Sequence, residues 1–239
     1  MNRFGLLSSA IVLLVAFVAS GCAVEELPNE REVPPSITGC PNGSLEGCFN
    51  YNEMSGYLET VTPMVREYFR EQYPRVADPR DVVYVASGRQ GRSPCGNVVN
   101  GDSYEYCGAD DTIYIGQDLL WAFYHEIGDA APVVGLAHEW AHHLQVTQRV
   151  PLPRTAKESV DFENQADCIA GAWARYADEK GWLEREDDLA DVTSLLNAIG
   201  SRESGNRDHG TPRERIQAFD LGFEDGVRAC NTYTQPSPG

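Results

Sequence analysis

The pentapeptide His138-Glu139-Trp140-Ala141-His142 sets two imidazoles four residues apart with a carboxylate beside the first. On an α-helix, residues i and i+4 share a face, so both rings can aim a nitrogen at one metal ion about 2 Å away. Glu139 is then placed to take a proton from water next to that metal. In a chain with five histidines, such a pattern arises by accident on the order of once in a hundred sequences. A pair of core histidines satisfied by hydrogen bonds is the competing reading. The pentapeptide therefore needs a third ligand from elsewhere before it counts as a site.

Glu163 and Asp167 answer that need. They too are i and i+4, on a stretch whose same face carries Ala166, Ala170 and Ala174, with Gly171 adjacent. Those small residues suit close packing against the histidine helix. A catalytic zinc site takes three protein ligands and leaves a position for water, and each ligating histidine gives its other N–H to an acceptor. Glu163 and Asp167 can supply the third ligand and the acceptor between them. The pattern with a third histidine requires Gly at 145 and His at 148, where this chain has Gln145 and Gln148. His143 lies roughly 100° around the helix from His142 and is expected to pack or to hydrogen-bond.

The elements that must position these groups are mostly helical. Tyr57, Leu58, Val61, Met64, Val65 and Phe69 recur at three- and four-residue spacing and predict a first amphipathic helix from near Asn52. Residues 81–86 and 112–115, rich in β-branched and aromatic side chains, predict two strands around a cysteine-bounded loop at 95–107. Helices are expected at 119–126, about 130–150, about 157–180 and about 183–199, the last two stopped by Gly181 and Gly200. Thr211-Pro212 opens a final helix reaching about Arg228. The stretch around the histidines is apolar on nearly every side, as a buried helix is. The expected class is α+β, mostly α, with a small sheet.

The segments His138 to Gln145, Glu163 to Trp173 and His209 onward resemble the bacterial "Putative neutral zinc metallopeptidase" family. So do those around Cys95, Tyr106-Cys107 and Thr112 to Ile115, and the match covers most of the chain from about 50 to 233. The resemblance implies a zincin-like fold, one Zn2+ and N-terminal membrane attachment. Glu163 also stands at the spacing found in peptidases similar to thermolysin, which use a glutamate as third zinc ligand. Such peptidases place a further donor opposite the metal to stabilise the oxyanion. His209 is the expected donor here, with Arg215 next.

The N-terminus and the cysteines speak to compartment. An uncharged apolar run from Gly5 to Ser20 follows Arg3 and is shorter than the roughly 20 residues of a membrane-spanning helix, as expected of a signal peptide over residues 1–21. Ala19-Ser20-Gly21 before Cys22 resembles a lipobox, with Cys22 the lipidated residue; an uncleaved anchor or a simple signal peptide is the alternative. Cleavage there leaves 239 − 21 = 218 residues and removes one cation, taking the net charge from −17 to −18. Such acidity argues against nucleic acid as a partner. Six cysteines remain, and loop economy pairs Cys40 with Cys48 and Cys95 with Cys107, which leaves Cys168 and Cys230 to staple two helices.

The expected organisation is a tether at 22–47, rich in Pro and Gly, then one metallopeptidase domain at 48–233 and a short tail at 234–239. The leading function is a membrane-tethered, extracytoplasmic peptidase of the cell envelope, with peptides or proteins as substrate. Two alternatives stand beside it: a catalytically silent zinc-binding interaction or quality-control module, and a metal-dependent amidase acting on a non-peptide bond of the envelope.

Overall fold

A computed structural model describes residues 39–40, 43–200 and 207–234. The N-terminal apolar run and Cys22 lie outside the described residues. The first helix, α1 (Met54–Gln72), follows a 3-10 turn at Tyr51–Glu53 that is closed by a reciprocal cap between Asn50 and Glu53. Its Met54, Tyr57, Leu58, Val61, Met64, Val65, Tyr68 and Phe69 are all buried, so the stripe read from spacing is the face that meets the core.

Five short strands follow: β1 (Asp81–Val85), β2 (Gln90–Arg92), β3 (Val98–Asn100), β4 (Tyr104–Cys107) and β5 (Thr112–Gly116). β1, β5 and β4 form one sheet with β5 central, parallel to β1 and antiparallel to β4, while β2 and β3 pair separately. Ile113 and Ile115 of the central strand are fully buried. α2 (Gln117–Ala122) runs into a π turn at Phe123–Ile127 and then into α3 (Ala130–Thr147). The chain ends with α4 (Ala156–Glu179), α5 (Arg185–Gly200), α6 (Pro212–Asp225) and a 3-10 turn at Val227–Thr232. This is the expected α+β class, mostly helical with a small sheet.

α3 is central. Trp140 is 1 % exposed and stacks on Phe69 of α1, with ring centres 5.8 Å apart. Tyr104 of β4 donates from its hydroxyl to the Pro132 carbonyl, tying the sheet edge to the start of α3. On α4, Ala166, Ala170 and Ala174 are buried, but Gly171 does not serve the histidine helix. A Cβ there would lie 2.1 Å from the carbonyl oxygen of Phe219, and one at Gly222 would lie 1.8 Å from that of Cys168. Opposed glycines thus let the backbones of α4 and α6 touch.

The three expected disulfides all form: Cys40–Cys48, Cys95–Cys107 and Cys168–Cys230. The last joins α4 to the 3-10 turn after α6, not to a helix proper. Three such bonds mark a chain that matures in an oxidising, extracytoplasmic compartment. Among the described residues, no helix is long and apolar enough to cross a membrane.

Candidate functional site

Helical spacing turns His138 and His142 to the same side of α3, and α4 crosses there with Glu163. The two histidine Nε2 atoms are 3.0 Å apart. Glu163 Oε2 is 3.4 Å from His138 Nε2, and its Oε1 is 3.5 Å from His142 Nε2. The three side chains are 12 %, 14 % and 15 % exposed, so the cluster is sheltered yet reachable.

The other ring nitrogens are already committed. His138 Nδ1 donates to Asp167 Oδ1 at 2.8 Å, and His142 Nδ1 donates to Gln145 Oε1 at 2.8 Å. Each ring therefore turns a lone pair inward through Nε2, toward the Glu163 carboxylate. Lone pairs that close repel unless a cation, a proton or a metal ion, lies between them. The electrostatics express the same demand. Burial works against a charge on His138, but Asp167 and Glu163 outweigh it and raise its pKa to about 10. Burial lowers His142. Burial alone would raise Glu163, yet His142, His138 and His209 hold it well below the usual carboxylate range. Two imidazole nitrogens and one carboxylate oxygen, within 4.8 Å of one another, fit zinc in type and number.

Asp167 is 2 % exposed and carries a second partner that spacing did not reveal. Arg215 of α6 grips it with two hydrogen bonds of 2.8 Å, from Nε to Oδ2 and from Nη2 to Oδ1. Burial pushes Asp167 up, but Arg215 and His138 bring it below its ordinary value. The guanidinium of Arg215, expected as a reserve oxyanion donor, is thus engaged behind His138.

Glu139 is 9 % exposed, and its Oε2 accepts the main-chain N–H of Tyr106 in β4 at 2.8 Å. Burial pushes its carboxyl up to about 7, against the pull of His138. A carboxylate with that poise can both take and return a proton near neutrality. His143 faces away from the cluster: its Nδ1 meets Asp111 Oδ1 at 2.6 Å and its Nε2 meets the Ala77 carbonyl at 2.8 Å. Asp111 also accepts the Tyr106 hydroxyl at 2.9 Å, so His143 joins α3 to the strand that holds Glu139. His209, in the loop before α6, has a side chain 58 % exposed, with Nδ1 3.3 Å from Glu163 Oε2.

Two groups that touch the site escaped the sequence reading: the Tyr106 amide, and Gln145 as the acceptor beside His142. The first has no side-chain signature. Gln145 stands three residues after His142, on the same face of the helix, and that spacing was the available signal.

Among known proteins, the chain is similar to "Uncharacterized protein YpfJ" of Escherichia coli strain K12, 29 % identical over 217 residues that cover 77 % of this chain and 73 % of that one. It is also similar to "Uncharacterized protein Rv2575" of Mycobacterium tuberculosis strain H37Rv, 28 % identical over 184 residues, 64 % of this chain and 62 % of the relative. No solved structure matches it. The matching family, described as "Putative neutral zinc metallopeptidase", spans residues 50–233, which include His138, Glu139, His142, Glu163, Asp167 and Arg215, and the chain belongs to that family.

Proposed function

We propose that this protein is an extracytoplasmic zinc peptidase, held at the membrane through its N-terminal segment. The observation that carries the reading is the convergence of His138 Nε2, His142 Nε2 and the Glu163 carboxylate, with Glu139 beside them. When bound by these three residues, zinc supplies Lewis acidity, polarising a peptide carbonyl and making water acidic enough to be deprotonated near neutral pH. Glu139 takes that proton and delivers it to the leaving amine. The Tyr106 N–H holds one oxygen of Glu139 and so aims the other. Asp167, clamped by Arg215, keeps His138 turned inward. His209, at the exposed side of the cluster, is the donor assigned to the oxyanion.

Attachment to the membrane rests on the apolar run from Gly5 to Ser20 and on Cys22 as the lipid-bearing residue. Replacing Cys22 by Ala releases the protein from the membrane fraction under this reading.

The test of function compares wild type with Glu139→Gln for zinc content and for hydrolysis of denatured casein, peptide libraries and peptidoglycan fragments. Both proteins are expected to hold stoichiometric zinc, and only wild type to cut peptides. Zinc-loaded wild type that is as inert on peptides as the variant refutes the peptidase reading, and cleavage confined to peptidoglycan transfers the site to envelope amidase chemistry.

A further inference from the structure

We infer that Gln145 and Gln165 form an amide relay that sets which nitrogen of His142 faces the metal position, with the C-terminal segment as its anchor. The inference rests on the zinc reading above and adds positioning residues to it.

A glutamine amide can be turned end for end, and only its surroundings decide which end faces a neighbour. Both glutamines are fully buried, so water cannot compensate for a wrong orientation. The relay begins at two main-chain carbonyls, which accept hydrogen bonds and never donate them. Gln165 Nε2 donates to the carbonyl of Cys230 at 3.2 Å, which leaves its Oε1 turned toward Gln145. Gln145 Nε2 donates to that Oε1 at 3.0 Å and to the carbonyl of Phe162 at 2.8 Å. The hydroxyl of Thr234 donates to the same Gln165 oxygen at 2.6 Å. Gln145 Oε1 is then the only end left for the imidazole, and it accepts the Nδ1–H of His142 at 2.8 Å. Turning either amide would bring N–H against N–H or oxygen against a carbonyl oxygen. The direction fixed at Cys230 therefore reaches His142 and leaves the lone pair on Nε2, facing His138 and Glu163. Phe162 helps from the side as well, its ring stacked on His142 at 5.3 Å and 13°.

The two histidines are held by opposite means. His138 leans on a buried carboxylate neutralised by Arg215, His142 on a chain of uncharged amides. Removing a neutral amide strands no buried charge, so the relay can be tested without unfolding the site.

The experiment measures zinc affinity by competition with a chelator, in wild type, Gln145→Met and Gln165→Met, together with melting of each metal-free protein and the ligand-field spectrum of each cobalt(II) form. Methionine keeps the volume and removes the polar end. Gln145→Met is expected to lose about 10- to 100-fold in affinity, and Gln165→Met, which never touches His142, about tenfold. The cobalt bands shift in both. Should Gln145→Met fail to fold, Gln165→Met alone decides. Variants that bind zinc within about twofold of wild type overturn the relay, as does a fall in metal-free melting with affinity unmoved, which is the mark of a purely structural role. Wild type without stoichiometric zinc overturns the metal reading and the relay together, whereas tight wild-type binding with unmoved variants overturns the relay alone.

Discussion

Alanine at position 222 would put a methyl carbon 1.8 Å from the carbonyl oxygen of Cys168, 2.7 Å from its carbonyl carbon and 2.9 Å from the amide nitrogen of Ala172. All three are main-chain atoms of α4, so no change of rotamer makes room. Ordinary contact begins at 3.4 Å, and relief requires 3.4 − 1.8 = 1.6 Å of separation. Arg215 lies two turns earlier on α6, with both bonds to Asp167 at 2.8 Å. Rigid movement of α6 by the full amount lengthens them to as much as 2.8 + 1.6 = 4.4 Å where the shift lies along the bonds, beyond hydrogen-bond reach. Overpacking of this kind costs about 1–3 kcal/mol, and weakening a buried ion pair brings the total to roughly 2–4 kcal/mol. For a chain of this size, that is a fall of roughly 5–15 °C in melting temperature. Asp167 loses its clamp, His138 its fixed acceptor, and zinc affinity falls about 10- to 100-fold. Scanning calorimetry of metal-free Gly222→Ala and chelator competition measure the two effects. Gly91→Ala is the control, because nothing lies within 4 Å of its new methyl. An unchanged melting temperature refutes the close approach. A lowered melting temperature with wild-type zinc affinity refutes the coupling between helix spacing and site.

Arg215→Met leaves the Asp167 carboxylate buried without its cation, and urea denaturation should show a loss of about 3–5 kcal/mol. The pH dependence follows from a second acidic cluster, Asp129, Asp188 and Asp191, where burial and the Asp188 charge raise Asp129 to about 7 and Asp191 to about 6. Carboxyl groups raised on folding stabilise the protein while protonated, and that contribution is lost as pH rises through their folded pKa values. Melting temperature should therefore fall between about pH 4 and about pH 7, and Asp129→Asn should flatten the fall; a curve unchanged in that variant refutes the assignment. Breaking Cys168–Cys230, which closes a separation of 62 residues, should cost about 4 kcal/mol, read as a lower denaturant midpoint in the double Ala variant.

Much of this arrangement was readable because helical spacing is a local property. The i, i+4 pairs His138/His142 and Glu163/Asp167 declare their shared faces without reference to the rest of the chain, and the stripe on α1 does the same. Short cysteine loops are nearly as local. What spacing could not show is where one element meets another. β4 is four residues inside a cysteine loop, and its role depends on pairing with β5 and on a backbone N–H that every residue possesses. Arg215 reaches Asp167 across 48 residues of sequence. Gly171 was assigned to the wrong neighbour because a small residue announces a close approach without naming the partner; α6 is that partner. Gln145 was read only for the ligand pattern it excludes, although its place on the helix face already put it beside His142.

The staple at Cys168–Cys230 also imposes an order in time. Ribosomes deliver the chain from its N-terminus, so His138, His142 and Glu163 exist long before Cys230, the residue whose carbonyl orients Gln165. A nascent or truncated chain that stops short of it carries His138, Glu139, His142 and Glu163, but not the carbonyl to which Gln165 donates. If the zinc reading and the amide relay hold, firm metal binding therefore waits for Cys230 and its oxidation, and a polypeptide that has not reached that residue is poorly equipped for the proposed chemistry.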